Sequence, residues 1–313
     1  MGSTSPSHAL PKGHMLHNYR IEKCIGGGGF SIVYLAKDTI RSRKVVVKEF
    51  VPLDQVRRLE DASIEFLSQE SQNADPGAAG IKRFFSEAAA LAKVSHPYIV
   101  KVRDVFRANN TVYMVMDYHK GNDLRWYIKR YSGRLSEKFI VTVFPHLLEG
   151  LRELHENSLL HLDIKPANIH IRPGGKPLLL DFGAVREIMS QRARGPHTLT
   201  MGYAPIEQHR NGHIGPWTDM YAFGASMRAC MSGSPPPTSL DREKKDIMKP
   251  AVKSFARNYS RQLLEAVDWC LQMEAAQRPQ NVYELLDFMN KDWIENDKPS
   301  LWQRFWHGEG DEY

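Results

Sequence analysis

Three stretches of the sequence carry residue types suited to handling phosphate groups and a divalent cation. In His161-Leu162-Asp163-Ile164-Lys165-Pro166-Ala167-Asn168 an acid, a lysine and an amide share one loop between apolar segments, and Asp181-Phe182-Gly183 begins thirteen residues after Asn168. Each residue has a use. The Asp163 carboxylate can orient a hydroxyl and accept its proton, and Lys165 can neutralise charge developing on a transferred group. Asn168 and Asp181 offer the oxygen ligands that Mg²⁺ takes alongside phosphate. A polar turn with capping residues would account for either piece alone, but is a poor account of both at this spacing with the two stretches upstream.

The second stretch, Gly26-Gly27-Gly28-Gly29-Phe30-Ser31-Ile32-Val33, is weak by itself, because glycine runs after a strand are commonly tight turns. It lies between two strand-like segments rather than between a strand and a helix, which argues against a dinucleotide fingerprint or a P-loop. A glycine hairpin can instead fold its backbone N–H groups over phosphates, with Phe30 at the tip. The third signal is Lys48, which follows Val45-Val46-Val47, with Glu87 39 residues on in the next amphipathic segment. A lone lysine at a strand end is ordinarily solvated. A Lys–Glu ion pair holding the ammonium against phosphates gives both residues a purpose.

The elements that must position these groups follow from periodicity. Tyr19-Arg20-Ile21-Glu22-Lys23, Ile32-Val33-Tyr34-Leu35-Ala36 and Val45-Val46-Val47-Lys48 read as three strands, joined by the glycine turn and a polar turn over 38–44. Residues 51–80 read as a loop or small irregular insertion. Residues 81–93 read as a helix, since Phe84, Phe85, Ala88, Leu91 and Ala92 recur at helical spacing. Strands at 100–106 and 111–116 lead to Asp117-Tyr118-His119-Lys120-Gly121, where the character changes. Beyond it, 124–131, 137–157, 218–231, 259–273 and 282–292 are helical in period, with short strands at 169–171 and 178–180. A β-rich small half followed by an α-rich large half predicts a two-lobed α+β architecture with a cleft between the lobes.

Composition sets the outer bounds. With 313 residues, 42% apolar and 25% charged, the chain can bury one large or two medium cores. Cys24, Cys230 and Cys270 have neither the number nor the spacing of a disulfide framework or a C-x-x-C site, and read as reduced and cytoplasmic. No apolar run approaches the roughly 18 residues of a membrane helix, and residues 1–11 lack the apolar stretch of a secretory signal. The net charge of +6 comes from basic residues scattered among 36 acids, which speaks for a solvated surface and against a nucleic-acid partner.

In this order the motifs resemble those of the protein kinase superfamily, and within it the bacterial eukaryotic-like (Hanks-type) serine/threonine kinases, over about 16–292. Gly202-Tyr203-Ala204-Pro205-Ile206-Glu207 is similar to the family's Ala-Pro-Glu segment, and Asp219-Met220-Tyr221-Ala222-Phe223-Gly224 to its buried large-lobe helix. Arg278-Pro279 resembles the arginine that pairs with that glutamate, here Glu207. Gly215-Pro216-Trp217-Thr218-Asp219 and the long linker after Lys48-Glu49-Phe50-Val51-Pro52 are like the bacterial branch.

The resemblance implies a two-lobed protein kinase fold. A small antiparallel β lobe with one helix would span 16–117 and a larger, mainly helical lobe 118–292, flanked by a flexible segment over 1–15 and a tail or linker over 293–313. It implies transfer of the γ-phosphoryl group of ATP to hydroxyls of protein substrates, autophosphorylation included, with Mg²⁺ as the ion and Mn²⁺ as an alternative. Asp163, Lys165, Lys48 and Glu87 would be catalytic, and Asn168 and Asp181 would bind the metal. The nucleotide would meet Ile25, Gly26, Gly28 and Phe30 of the glycine hairpin, with Val33, Val46 and Lys48 on the strands behind it. Met116 would be the gatekeeper, the backbones of Asp117 and His119 would read the adenine edge, and Asp123 would lie near the ribose. His161, Phe182 and Leu91 would stack as members of the hydrophobic spine.

Several residues depart from the family pattern. Ser31 stands at the third glycine. Leu162 stands where many kinases have an arginine that pairs with a phosphorylated activation-loop residue, so activity is expected not to depend on phosphorylation in the loop over 183–207. Thr200 is expected to bond the catalytic acid and lysine, while Ser190 and Thr198 remain autophosphorylation candidates. Pro205 and Ile206 replace the usual Ala-Pro, which bears on peptide docking rather than on the chemistry. Arg186, Arg192, Arg194 and His197 make the loop basic, which suits acidic surroundings in a substrate or simply solvent. The aromatics Trp302, Phe305 and Trp306 of the tail could pack on the large lobe, meet a partner or adjoin a membrane. Two other readings stay open: a pseudokinase scaffold, against which Lys48, Glu87, Asp163, Asn168 and Asp181 argue together, and a small-molecule phosphotransferase, against which Lys165, Glu207 and Asp219 argue. The sequence carries no signal of oligomeric state.

Overall fold

The computed structural model of the chain describes residues 8–67, 76–182, 185–187 and 199–290. It divides into two compact units, one of Met1–Ser95 with Val100–His119, the other of His96–Ile99 with Lys120–Tyr313.

The first unit is built on an antiparallel sheet. Its strands are β1 (Met15–Leu16), β2 (Tyr19–Gly28), β3 (Ser31–Asp38), β4 (Arg43–Phe50), then, beyond a small hairpin of β5 (Val56–Arg58) and β6 (Ile64–Phe66) and the helix α1 (Pro76–Ala92), β7 (Val102–Ala108) and β8 (Thr111–Asp117). The spatial order is β1-β2-β3-β4-β8-β7. Strict alternation sorts β4 into two faces: Val45, Val47 and Val51 join one apolar layer with Ile32, Tyr34, Tyr113 and Val115, while Phe50 meets Phe84 of α1 at 6.1 Å between ring centroids. The β7–β8 turn is Asn109-Asn110 with both residues at positive φ, the backbone that a two-residue hairpin of the right twist requires. Gly80 of α1 is needed for close approach, since a Cβ there would sit 2.2 Å from Phe50 Cζ.

Two features of this unit differ from the sequence expectation. Residues 51–80 are not simply irregular: β5 pairs with β6, Arg57 opposite Glu65, and Val56 and Ile64 sink into the apolar layer behind β4. Strands of three residues are too short to establish a period, which is why the pattern did not reveal them. The helix also begins earlier than residue 81, at Pro76, where a proline's fixed φ and missing donor are tolerated in the first turn.

The second unit comprises β9 (Asn122–Asp123), α2 (Leu124–Arg130), α3 (Glu137–Glu156), β10 (Leu159–Leu160), β11 (Ile169–Arg172), β12 (Lys176–Leu179), β13 (Arg186–Glu187), α4 (Ile206–His209), α5 (Pro216–Ser232), α6 (Ser239–Lys244), α7 (Ala251–Ser254), α8 (Arg261–Cys270) and α9 (Val282–Asn290). Helix starts are marked by side-chain caps: Asp123, Ser136, Thr238 and Ser260 each accept a backbone N–H three residues on. α3 buries Ile140, Val143, Phe144, Leu147 and Leu151 at helical spacing, whereas α5 is buried all round from Thr218 to Met231 and is the axis of the unit's core. Gly121, at φ +142, lets the chain turn where a Cβ would lie 2.1 Å from the Ile171 carbonyl oxygen. No helix among the described residues is long and apolar enough to cross a membrane.

One ion pair ties α4 to the end of the unit. Arg278, buried, grips Glu207 with Nη1 to Oε1 at 2.7 Å and Nη2 to Oε2 at 3.2 Å, and its guanidinium lies 4.9 Å from the Tyr221 ring centroid. Its remaining donors reach the carbonyls of Gln272 and Met273 at 2.7 and 2.8 Å. Arg278→Ala leaves Glu207 buried without its charge partner, and is expected to cost about 3–5 kcal/mol of stability, read as a lowered midpoint in urea denaturation.

Candidate active site

The catalytic-loop stretch is held from beneath by one carboxylate. Asp219, fully buried in the first turn of α5, accepts the N–H of His161 at Oδ2 (2.9 Å), the N–H of Leu162 at Oδ1 (2.7 Å) and His155 Nε2 at Oδ2 (2.9 Å). Gln208 of α4 donates to the Leu162 carbonyl at 3.0 Å. Both sides of residue 162 are thus clamped, and Leu162 sits at φ +63, a conformation costing a side-chain-bearing residue on the order of 1–3 kcal/mol. Its side chain is buried with Leu160 and Ile214, so the place of the expected arginine is apolar. His161 is also fully buried, its ring 4.8 Å from that of Phe182, and burial pulls its pKa down against the nearby Asp219, keeping the imidazole neutral.

The clamp presents a closed set of polar groups. Asp163 Oδ2 accepts Lys165 Nζ at 2.8 Å and Asn168 Nδ2 at 2.9 Å, and Oδ1 accepts the Thr200 hydroxyl at 3.0 Å. Lys165 Nζ also donates to Thr200 Oγ1 at 2.9 Å, which closes the ring. A carboxylate has about four lone-pair positions. Three are used here, so Asp163 retains room to accept an incoming O–H.

The fit to a hard cation can be judged from Asn168. Both of its N–H donors turn toward Asp163, to the backbone carbonyl and Oδ2, each at 2.9 Å, which aims the amide oxygen away from the carboxylate. Its own carbonyl accepts the Leu180 N–H at 2.8 Å, placing Asp181, the other expected ligand, one residue from Asn168's backbone. Asp181 is exposed and at φ +55. No group of three or more His, Cys, Asp or Glu able to hold an ion alone occurs among the described residues. An amide oxygen and one carboxylate suit Mg²⁺, which keeps water and phosphate in its remaining positions.

The first unit gathers the expected nucleotide residues by register. Val33 faces Lys48 across β3 and β4, and Val46 faces Met116 across β4 and β8, so these four side chains share one face of the sheet. Lys48 is 8% exposed, with its ammonium 5.6 Å from the Phe84 ring centroid. Gly26 and Gly28 pair with Val33 and Ser31 in the β2–β3 hairpin, and a Cβ on Gly26, Gly28 or Gly29 would meet no atom within 4 Å. The chain's own packing does not demand those glycines, and without side chains the hairpin's backbone is open to close approach. Ile25 and Phe30 stand out from the hairpin at 44% and 45% exposure.

Some expected residues have their side chains engaged elsewhere. Asp117 bonds Arg103 Nε at 2.7 Å and lies 3.7 Å from Arg43; burial works to raise its pKa, but the two guanidiniums hold it below the usual carboxylate range. Its backbone N–H reaches the Lys101 carbonyl at 3.2 Å. Asp123 caps α2 and bonds Arg125 at 2.6 Å. His119 closes the first unit, half-buried. Leu91 is buried in the first unit. Glu87 falls on α1, but its side chain lies outside the described residues, as do Gly183, Ser190, Arg192, Arg194, His197, Thr198 and the tail aromatics, with the side chain of Arg186. Gln208 and His155 were not foreseen; a glutamine and a histidine on amphipathic helices carry no local signal that they turn inward.

Residues 19–294 match the family model for the protein kinase domain. The chain is 30% identical over 221 residues to the serine/threonine-protein kinase PrkC of Bacillus subtilis, covering 70% of this chain and 31% of that protein. It is 32% identical over 232 residues to the serine/threonine-protein kinase PknA of Nostoc sp., covering 70% and 38%. A solved structure titled PpkA-294 apo form has a TM-score of 0.80 and 32% identity over 90% of this chain and 100% of that one. The chain belongs to the protein kinase family and is of the bacterial, Hanks-type serine/threonine class. It spans about a third of the length of the curated relatives it matches.

The Thr200 hydroxyl both donates to Asp163 and accepts from Lys165, so Thr200→Val should drop kcat for phosphoryl transfer about 10²-fold, the scale of a misplaced catalytic group, while Thr200→Ser stays within a few-fold of the parent. Steady-state kinetics at saturating ATP checks both.

Proposed function

We propose that this chain transfers the γ-phosphoryl group of ATP to serine and threonine hydroxyls of protein substrates, with Asp163 receiving the proton. The observation that carries the reading is the ring of Asp163, Lys165, Thr200 and Asn168, which holds a carboxylate in place with one acceptor position to offer. A substrate hydroxyl donates to Asp163 and turns its oxygen toward the phosphorus. As the new O–P bond forms, the bond to the bridging oxygen of the β-phosphate breaks, the proton passes to the carboxylate, and ADP leaves. Lys165 neutralises negative charge on the group in transit.

Asn168 and Asp181 would hold Mg²⁺ or Mn²⁺, which when bound offsets the charge of the phosphates. Lys48, oriented by Glu87, and the backbone of Gly26 and Gly28 would hold the phosphates, with Ile25 and Phe30 flanking them. Val33, Val46 and Met116 would form apolar wall for the adenine, with the backbones of Asp117 and His119 at its edge and Asp123 toward the ribose. Retention of the whole set disfavours a pseudokinase scaffold. The buried Glu207–Arg278 support beneath the segment that follows Thr200 favours a protein over a small molecule as acceptor. Leu162, packed among apolar side chains, offers no cation to a phosphorylated loop, so the activity is proposed to be independent of such phosphorylation. Free Cys230 and Cys270, buried and with their thiol pKa raised by burial, suit the reducing cytoplasm in which we place the domain.

Incubation with ATP, Mg²⁺ and a basic generic protein, followed by phosphosite mapping, should find serine and threonine; sites mainly on tyrosine would overturn the assignment. Asp163→Asn should lower the rate by about 10²–10⁴-fold, and chelation of the divalent ion should stop the reaction. Prior phosphatase treatment should leave the rate within about twofold, since no charged receptor awaits the phosphate.

A further inference from the structure

Strand β4 carries two charged residues side by side, and the site described above uses only one of them. Lys48 and Glu49 are consecutive, so they leave opposite faces of the sheet. Glu49 enters the apolar layer and is wholly buried. It accepts the Tyr34 hydroxyl of β3 at 2.6 Å, the Tyr113 hydroxyl of β8 at 2.6 Å and Arg58 Nη2 of β5 at 2.7 Å. Each donor is braced in turn. Arg58, its side chain 10% exposed, also donates to the carbonyls of Ala62 (2.8 Å) and His8, Tyr34 Oη accepts the Leu10 N–H at 3.1 Å, and Tyr113 Oη accepts Asn109 Nδ2 at 2.9 Å. One carboxylate therefore ties together three adjacent strands, the inserted hairpin and the N-terminal segment.

The consequence for the other face is geometric. Glu49 stands opposite Tyr113 and Lys48 opposite Val33, so a slip of β4 by one residue would carry the carboxylate out of its donors and drive the ammonium into the apolar layer. A buried carboxylate stripped of its donors is strongly unfavourable, so the register that suits Glu49 is the register that sets Lys48. The chain leaving β4 also holds the glycine hairpin: Val51 N–H reaches the Phe30 carbonyl at 2.9 Å, and Leu53 N–H the Gly29 carbonyl at 3.0 Å. Phe30 and Gly29 form the tip of that hairpin, and the same stretch runs on into β5, which carries Arg58.

We infer that Glu49 is a positioning residue for nucleotide binding, the centre of a clamp on the far face of the sheet, formed with Arg58, Tyr34, Tyr113 and the backbone of residues 8–10, that sets the stance of Lys48 and of the glycine hairpin. The inference rests on the kinase reading given above. A purely structural ion pair would lower stability and leave the nucleotide affinity of folded protein alone; a clamp on Lys48 moves the affinity itself.

The test compares Glu49→Gln, Tyr113→Phe and a chain lacking residues 1–10 with the parent, each confirmed as folded by circular dichroism below its melting temperature. Calorimetric Kd for Mg²⁺·ATP and the KM for ATP should rise about tenfold in Glu49→Gln and about threefold in the other two, with kcat at saturating ATP within about twofold. Arg57→Gln, in the same hairpin but paired on the surface with Glu65, should leave both constants unchanged. If Glu49→Gln does not fold, Tyr113→Phe, which removes one hydroxyl and no charge, decides. Folded variants with unaltered Kd and KM overturn the clamp while the parent's activity leaves the kinase reading standing; a parent that binds no Mg²⁺·ATP overturns both.

Discussion

A carboxylate sealed from water must find its hydrogen bonds within the protein, and Asp219 finds them in the backbone of the catalytic loop. Its two oxygens take the consecutive N–H groups of His161 and Leu162 and the ring nitrogen of His155. Consecutive N–H groups can point at one carboxylate only if the backbone turns sharply, and Leu162 makes that turn in a left-handed conformation that an unconstrained leucine avoids. Asp163 is the next residue, so the direction in which it leaves the loop follows from this strain. Because α5, which carries Asp219, is buried all round, the point of attachment lies within the core of the second unit.

The same principle recurs through the chain. Glu207 is met by Arg278 and by the Thr218 hydroxyl, Glu49 by two tyrosines and an arginine, and Asp38 by Asn18 and the N–H groups of Ile40 and Arg41 in the turn after β3. None of these acids is among the residues expected to hold nucleotide, metal or substrate. Each converts the high cost of an unsatisfied buried charge into a requirement for one local geometry, which apolar packing alone, being indifferent to direction, does not supply. Networks of this kind specify where neighbouring segments sit, and two residues of the proposed chemistry lie one position away from them: Lys48, expected at the phosphates, beside Glu49, and Asp163, expected to take the proton, beside Leu162.

At Leu162 the main chain and the side chain serve separate ends. The position keeps its bonds to Asp219 and Gln208, which involve only main-chain atoms, while its side chain joins Leu160 and Ile214. An arginine there would present a buried positive charge that asks for an anion; a leucine asks for nothing but apolar neighbours. On the proposed reading, the geometry at Asp163 then calls for no charged partner in the following loop.

Much of this is legible in the amino-acid sequence. The acid, lysine, amide and second acid at their spacing, the glycine hairpin between strands, and the switch from alternating to helical period near Gly121 depend on local rules: which residue types ligate a cation, where a Cβ obstructs, how side chains repeat along a strand or a helix. The hairpin over residues 56–66 escaped because its strands are shorter than any detectable period, and Gln208, His155 and Arg58 escaped because a polar residue on an amphipathic segment looks alike whether it faces water or a buried acceptor, a main-chain carbonyl for Gln208 and a carboxylate for the other two. Only the tertiary structure decides between those, since the partner that makes burial tolerable lies as far as 64 residues away, as His155 and Asp219 do. The sequence by itself determined which chemical groups this protein has and most of the elements that carry them; the fold determined which acids are sealed in as anchors and which keep access to solvent, because that depends on what else is brought within hydrogen-bond reach.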